Sequence, residues 1–341
     1  MTAVHGRGPS PTLEEVAGLA GVSRATVSRV VNDSPRVSPE ARTAVLAAIE
    51  QLRYVPNRAA RSLVTRRTDT IALVLSESDT QVFSDPFFAR TVRELSAALA
   101  DTELNLVLLT ARGEREQEKV GRYARQGHVD GVILMSLHRD DPLPGTLAAA
   151  GVPLVLSGRP LDGREVCYVD ADNVGGATAA TELLLAGGRR RIATVTGPGD
   201  MIAGIDRLAG YRTALAGAGR PVDPLLVAEG DFTEAGGNRA MAELLARAPD
   251  LDAVFVASDP MAVGALRALR RAGRSVPGDV AVVGFDDAPV AATADPPLTT
   301  VAQPLDEMCR LMVELLRRRI EGDEQVAARV CATRLVRRAS A

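Results

Sequence analysis

Between residues 71 and 285 the chain repeats one alternation: a short uniformly apolar run, then a longer stretch whose apolar residues return every three or four positions. The runs are Ile71–Leu75, Leu104–Leu109, Gly131–Met135, Pro153–Leu156, Ile192–Val195, Leu225–Ala228, Ala253–Ala257 and Val280–Phe285. They are four to six residues long, rich in Val, Leu and Ile, and lack the apolar–polar alternation of a half-exposed strand, which predicts parallel strands covered on both faces. The intervening stretches Phe88–Leu99, Ala177–Ala186, Leu208–Ala218, Gly237–Ala246 and Met261–Ala272 predict amphipathic helices, hence an α/β body built from right-handed crossovers. Eight such units overfill one open sheet of ordinary size. Two lobes with a cleft between them follow, with ligands expected outside the carboxyl ends of the strands.

The first 56 residues follow a different pattern. Thr12-Leu13-Glu14-Glu15 is a capping box that opens a helix running through Leu19, and Gly21 ends it. Ser23 caps a second helix through Val31, stopped by the turn cluster Asn32-Asp33-Ser34-Pro35. Ser38-Pro39 opens a third, with Val45, Leu46, Ile49 and Leu52 as its apolar stripe. Residues 57–64 permit a helix too short to be stable alone in water. Two helices joined by Gly21-Val22, with the small residues Ala17 and Val27 allowing a close crossing, form a helix-turn-helix.

Charge strengthens that reading. The chain as a whole carries −3, yet residues 1–68 hold ten arginines against five acids, so a basic head sits on an acidic body. This is the electrostatic footprint of a phosphate-binding module. In a helix-turn-helix the second helix enters the major groove N-terminus first, which makes Arg24, Ala25, Ser28 and Arg29 the candidates to reach bases. Arg29 suits the bidentate edge of guanine, Ala25 a thymine methyl, and Arg24 either a base or a phosphate. Ser23 and Thr26 are candidates for phosphate contacts, which fix register without reading sequence.

The remaining composition mostly excludes. No apolar run is long enough to span a membrane and no signal-peptide core stands at the N-terminus, so a soluble cytoplasmic protein is expected. Cys167, Cys309 and Cys331 lack metal or disulfide spacing, and His5, His128 and His138 are scattered. No nucleophile elbow, zinc-protease motif or Walker loop is present, so neither an enzyme nor a cofactor is expected. Gly197-Pro198-Gly199 mimics a dinucleotide turn, but the third glycine is missing and Pro198 lacks an N–H, leaving an ordinary βα turn.

The runs Thr12–Ala17, Ala20–Asn32, Val37–Glu40 and Leu52–Leu63 together resemble the headpiece of the LacI family of bacterial transcription regulators. The resemblance implies that positions 24, 25 and 29 select the operator, that Tyr54 and Asn57 touch the DNA backbone, and that residues 57–64 are a hinge helix whose Leu63 wedges into the minor groove. It also brings Thr12, Asn32 and Ala60 into the DNA-contacting set. A wedge leucine unstacks a base step, a cost offset by contacts along the bent duplex. A hinge too short to fold alone folds when two copies pack on DNA, which makes homodimerisation part of binding to a pseudo-palindromic operator.

The body resembles the effector-binding core of the same family, itself similar to two-lobed periplasmic sugar-binding proteins, through runs such as Asp85–Phe88, Asp130–Leu134, Arg207–Tyr211, Ser258–Ala262, Val283–Asp287 and Pro297–Val301. The resemblance implies polar effector ligands at Arg207, Asp286 and Ser258 or Asp259, apolar walls at Phe87 or Phe88 and Phe232, and further candidates at Ser136 and Arg159. A sugar suits this set, since a polyol needs bidentate polar partners at its rim and flat apolar surface on its C–H faces. Asp287 reads as a turn carboxylate, and Arg207 as a cation at a helix start, where the dipole disfavours it. Gly188 stands where the family often has His. Ser76–Phe83 reads as a lengthened loop over the cleft, and the C-terminus lacks the heptads of a tetramerising coil.

The expectation is thus an all-α helix-turn-helix headpiece (1–56), a hinge and linker (57–68), and an α/β two-lobed periplasmic-binding-protein-like domain (69–341). Its first lobe is placed at about 69–168 and 301–326, its second at about 169–300 and 327–341. The expected function is a dimeric repressor whose operator affinity responds to a carbohydrate. A purine or nucleoside effector and a stand-alone binding protein are the alternatives.

Overall fold

The computed structural model describes residues 11–31, 36–54, 67–325 and 327–341. The chain divides into two compact units, Met1–Thr68 and Asp69–Ala341. The predicted hinge contacts Asn57, Ala60 and Leu63, and Asn32 in the head, lie outside the described residues.

In the first unit, α1 (Leu13–Ala20), α2 (Arg24–Val31) and α3 (Pro39–Leu52) follow the capping chemistry of the sequence. The Thr12 amide donates to Glu15 Oε2 at 2.7 Å, and Gly21 closes α1 in the left-handed region at φ +64. Val16, Ala17, Val27, Val30, Val45, Ala48 and Tyr54 form the core. Leu46 departs from the expected stripe at 53% exposed, because the buried face of α3 runs through Val45 and Ala48, leaving Leu46 about 100° around the helix from Val45.

The second unit holds two six-stranded sheets. The first contains β1 (Thr70–Leu75), β2 (Asn105–Thr110), β3 (Gly131–Met135), β4 (Leu154–Ser157), β5 (Cys167–Ala171) and β11 (Ala328–Cys331), in the order β11-β5-β4-β3-β1-β2. The second contains β6 (Ile192–Thr196), β7 (Val227–Glu229), β8 (Ala253–Val256), β9 (Ala281–Asp286), β10 (Thr299–Ala302) and β12 (Arg334–Val336), in the order β12-β10-β9-β8-β6-β7. All pairings are parallel except β10 with β12. The chain leaves the first sheet after β5, fills most of the second, and returns through a helix to β11 before ending in β12. Residues 169–171 and 328–331 therefore belong to the first sheet, not to the second lobe in which the sequence reading placed them, and residues 301–302, read as first lobe, belong to β10 of the second sheet.

In β1, Ile71, Leu73 and Leu75 enter one core cluster and Ala72 and Val74 another, so both faces are covered as the unbroken apolar run requires. Helices α5 (Pro86–Leu99) and α13 (Leu305–Ile320) pack together over the first face. In the second sheet α8 (Asn173–Ala186) and α9 (Ile202–Gly217) pair, as do α10 (Glu234–Arg247) and α11 (Asp259–Arg271). Gly237 permits the latter contact, since a Cβ there would lie 2.1 Å from the Met261 carbonyl oxygen. Shorter helices are α4 (Asp79–Ser84), α6 (Glu114–Arg125), α7 (Leu143–Ala149) and α12 (Pro289–Thr293), with α6 the 12-residue exception in length. The run Leu225–Ala228 starts as a 3-10 turn over Pro224–Leu226, and only Val227–Glu229 is strand. No described helix is long and apolar enough to cross a membrane.

Candidate effector cleft and DNA-binding face

A cleft of about 1150 Å³, part of it open to solvent, lies between the two sheets of the second unit. Its walls come from the carboxyl ends of strands. The segments after β1, β3 and β4 supply Glu77, Phe87, Phe88, Ser136, His138 and Arg159, while those after β6, β7, β8 and β9 supply Met201, Phe232, Ser258 and Asp286. Asn173 and Gln303 stand at two of the three chain crossings between the sheets.

Arg207 organises the floor. Its Nε donates to Asn173 Oδ1 at 2.9 Å, Nη1 to the Ala257 carbonyl at 2.5 Å, and Nη2 lies 3.2 Å from Asp286 Oδ1. The guanidinium carbon sits 3.8 Å from the centre of the Phe285 ring. Asp286 also accepts from Gln303 Nε2 at 2.7 Å. Burial pushes the Asp286 carboxyl up and the Arg207 guanidinium down, each towards neutrality against their mutual attraction. A buried ion pair of this kind adds little net stability, because the cost of desolvating both charges offsets their attraction. Three of the six described non-glycine residues at positive φ, Ser136, Phe232 and Asp286, line this cleft, where such strain is characteristic of a working site.

Phe87, Phe88, Ser136, Arg159, Arg207, Phe232, Ser258 and Asp286 all reach the cleft, whereas Asp259 does not. Asp259 is fully buried, accepts from the Ala288 amide at 2.7 Å and from Thr300 Oγ1 at 2.6 Å, and so ties α11 to the segment after β9. Two further readings are corrected. Arg207 is the sixth residue of α9, away from the helix start, so the dipole argument for it falls. The loop read over Ser76–Phe83 contains α4, capped by Ser78, and its Gln81 faces the cleft. Asp287 pairs with Arg338 at 2.7 Å.

Several lining residues escaped the sequence reading. Burial pushes the Asp85 carboxyl up to about 6, opposed by the Phe87 amide that it caps at 2.9 Å. His138, two residues past Ser136, lies with Nε2 3.6 Å from Glu77 Oε1 and Nδ1 2.8 Å from Asp200 Oδ2, and these carboxylates push the imidazole up to about 9. The strand-end rule that selected Ser136 would have reached it. Gly197 makes room for Phe232: a Cβ there would lie 2.3 Å from the ring Cζ.

In the head, Arg24, Ala25 and Arg29 are exposed and Ser28 half-buried on α2, opposite the buried Val27 and Val30. Arg24 Nε is 3.0 Å from Glu14 Oε1 on α1. The Ser23 and Thr26 hydroxyls bond each other at 2.9 Å, and Ser23 Oγ accepts from the Thr26 amide at 3.1 Å, capping α2. Thr12 is exposed but engaged in its capping box. Tyr54 packs in the head core at 7% exposed, so its ring serves the fold first and little of it is offered to a phosphate.

Residues 12–57 match the family described as bacterial regulatory proteins, lacI family, and residues 181–341 match a periplasmic binding protein-like domain. The HTH-type transcriptional regulator CelR of Thermobifida fusca is 57% identical over 315 residues, covering 92% of this chain and 93% of that protein. The ribose operon repressor of Escherichia coli K12 is 37% identical over 312 residues, covering 91% and 93%. Among solved structures, a transcriptional regulator CelR–cellobiose complex superposes with a TM-score of 0.79 at 53% identity, covering 97% of this chain and all of that one. A lac repressor dimer bound to operator and the anti-inducer ONPF gives 0.85 at 28% identity, covering 97% and 99%.

Proposed function

Because this chain belongs to the lacI family of bacterial regulatory proteins, and is a DNA-binding transcription regulator rather than an enzyme, we propose that it represses its targets as a cytoplasmic homodimer on a pseudo-palindromic operator. A carbohydrate in the cleft between its lobes, of the class of cellobiose, releases it. The observation that carries the effector reading is the Arg207–Asp286 floor between aromatic walls, with bidentate polar groups for hydroxyls and Phe87, Phe88 and Phe232 for C–H faces. The CelR–cellobiose complex, 53% identical to this chain, supports a disaccharide.

On the DNA side, Arg24, Ala25, Ser28 and Arg29 read bases, with Ser23, Thr26, Thr12, Asn32, Tyr54, Asn57 and Ala60 at the backbone and Leu63 as the central wedge. Effector binding shifts the lobe arrangement and with it the separation of the two hinge segments, so cleft occupancy and operator affinity are coupled. The test is fluorescence anisotropy on a selected pool of palindromes, across a salt series, with cellobiose, ribose, galactose and adenine as effectors. Tight, salt-sensitive, palindrome-specific binding reversed by cellobiose is expected. Reversal by adenine alone would move the effector to the purines, and failure of any palindrome to compete with random DNA would overturn the repressor reading.

A further inference from the structure

His138 follows β3 in the first sheet, and Asp200 lies between β6 and α9 in the second. Their 2.8 Å contact therefore joins the lobes, and beside it the backbone of His138 pairs with that of Met201. Two arginine ties also cross between the lobes. Arg159 meets Asp206 at 2.8 Å, and Arg90 Nη1 donates to the Asp286 and Asp287 carbonyls at 3.1 and 2.9 Å, but both of these arginines extend long flexible side chains. The imidazole is short and held from both sides, with Glu77 buried behind it.

The second ring nitrogen is unusual. Nε2 is buried and has no hydrogen-bond partner, since Glu77 Oε1 at 3.6 Å is close enough for an ion pair but too far for a hydrogen bond. Both residues line the cleft. One hydroxyl placed beside them satisfies both, accepting from Nε2–H and donating to the Glu77 carboxylate. A hydroxyl does this through one oxygen, which an ether or an unprotonated ring nitrogen cannot.

We propose that His138 is both the latch of the cleft and an effector ligand: Nδ1–H holds Asp200 of the opposite lobe while Nε2–H, with Glu77, grips one hydroxyl of the bound carbohydrate. The ligand half rests on the carbohydrate reading; the latch half does not. Occupancy and closure then meet in a single ring, so an effector whose hydroxyl bridges Nε2 and Glu77 from the cleft side stabilises the geometry that holds Asp200.

Three variants separate the halves in the full-length protein. In His138→Asn the amide nitrogen stands near the Nδ1 position, in His138→Gln near Nε2, and Asp200→Asn removes the charge across the lobes. Closure is read as the distance between nitroxides on Glu118→Cys and Arg212→Cys, one exposed site per lobe, in labelled chain diluted with unlabelled; all three native cysteines are buried. Cellobiose binding is read by calorimetry. Asp200→Asn and His138→Gln are expected to lengthen or broaden the distance, while His138→Asn leaves it in place and weakens cellobiose by roughly 10-fold, as loss of one charge-assisted hydrogen bond dictates. An unchanged distance in Asp200→Asn overturns the latch. Wild-type cellobiose affinity in His138→Asn overturns the ligand role. Absence of cellobiose binding by the wild type overturns the ligand role together with the carbohydrate reading, and the distance still decides the latch.

Discussion

Replacing Arg207 with alanine removes the buried cation of the cleft floor and takes a donor from three acceptors: Asn173 Oδ1, the Ala257 carbonyl and Asp286 Oδ1, of which Asp286 keeps Gln303. The Arg207 and Asp286 side chains are 5% and 9% exposed, so water does not take over these bonds. Breaking a buried pair from one side costs about 3–5 kcal/mol because it leaves a buried charge without its partner. For a unit of this size each kcal/mol is worth roughly 2–4 °C, so the melting transition of the second unit should fall by about 6–20 °C. Pairing Arg207→Met with Asp286→Asn removes both charges while keeping an acceptor for Gln303 and a residue type that tolerates the positive φ, and should recover about 2 kcal/mol of that loss, since no buried charge is left alone. Thermal melts followed by circular dichroism, with urea titrations to supply free energies, measure both. Both proteins should fail to bind cellobiose. A single Arg207→Ala variant within about 1 kcal/mol of the wild type would refute the reasoning that this pair is buried, costly and kept for the effector.

Asp85 gives a pH-dependent case. Its folded carboxyl is raised from 3.8 to about 6, chiefly by burial, so the native state binds more protons between those values and stability falls as pH rises through that window. Asp85→Asn keeps a capping oxygen for the Phe87 amide while removing the charge, and should be more stable than the wild type by about 1–2 kcal/mol at pH 7.5, with the difference vanishing near pH 3.8 in urea titrations. Gly197→Ala should fold normally yet displace the Phe232 ring and weaken cellobiose by roughly 10-fold in calorimetry, the equivalent of one lost aromatic platform. Arg29→Ala should cost about 1–3 kcal/mol on the selected operator and much less on random DNA, read by competition anisotropy.

Local chemistry made much of this molecule legible. The capping box at Thr12, the left-handed Gly21 and the Ser38-Pro39 start each act within one helical turn, and α1 to α3 stand where they point. Strands β1, β3 and β9 are buried on both faces and read as apolar runs. Strands β5, β10, β11 and β12 lack that signature: Tyr168 and Asp170 interrupt one, Thr299 and Thr300 another, and the last two are edge strands with exposed residues. Missing β5 and β11 misplaced the lobe boundaries, because β11 rejoins the first sheet through a long-range pairing with β5 that no local pattern encodes, before the chain ends in the second sheet. The site shows the same division. Asp259 and Asp286 look alike in sequence, each beside a strand end, and only the three-dimensional partners reveal that one braces the fold while the other meets Arg207. His138 went unselected because its carboxylates, Glu77 and Asp200, come from distant segments.

The central claim, that cleft occupancy and operator binding are two sides of one equilibrium, has a direct test in reciprocity. Cellobiose affinity is measured by calorimetry on the full-length protein, free and saturated with its selected operator, alongside operator affinity with and without saturating cellobiose. Linkage requires the two factors to be equal, and the account predicts that operator weakens cellobiose by the same factor, on the order of 5- to 150-fold, by which cellobiose weakens operator. Equal cellobiose affinity for free and operator-bound protein would contradict it.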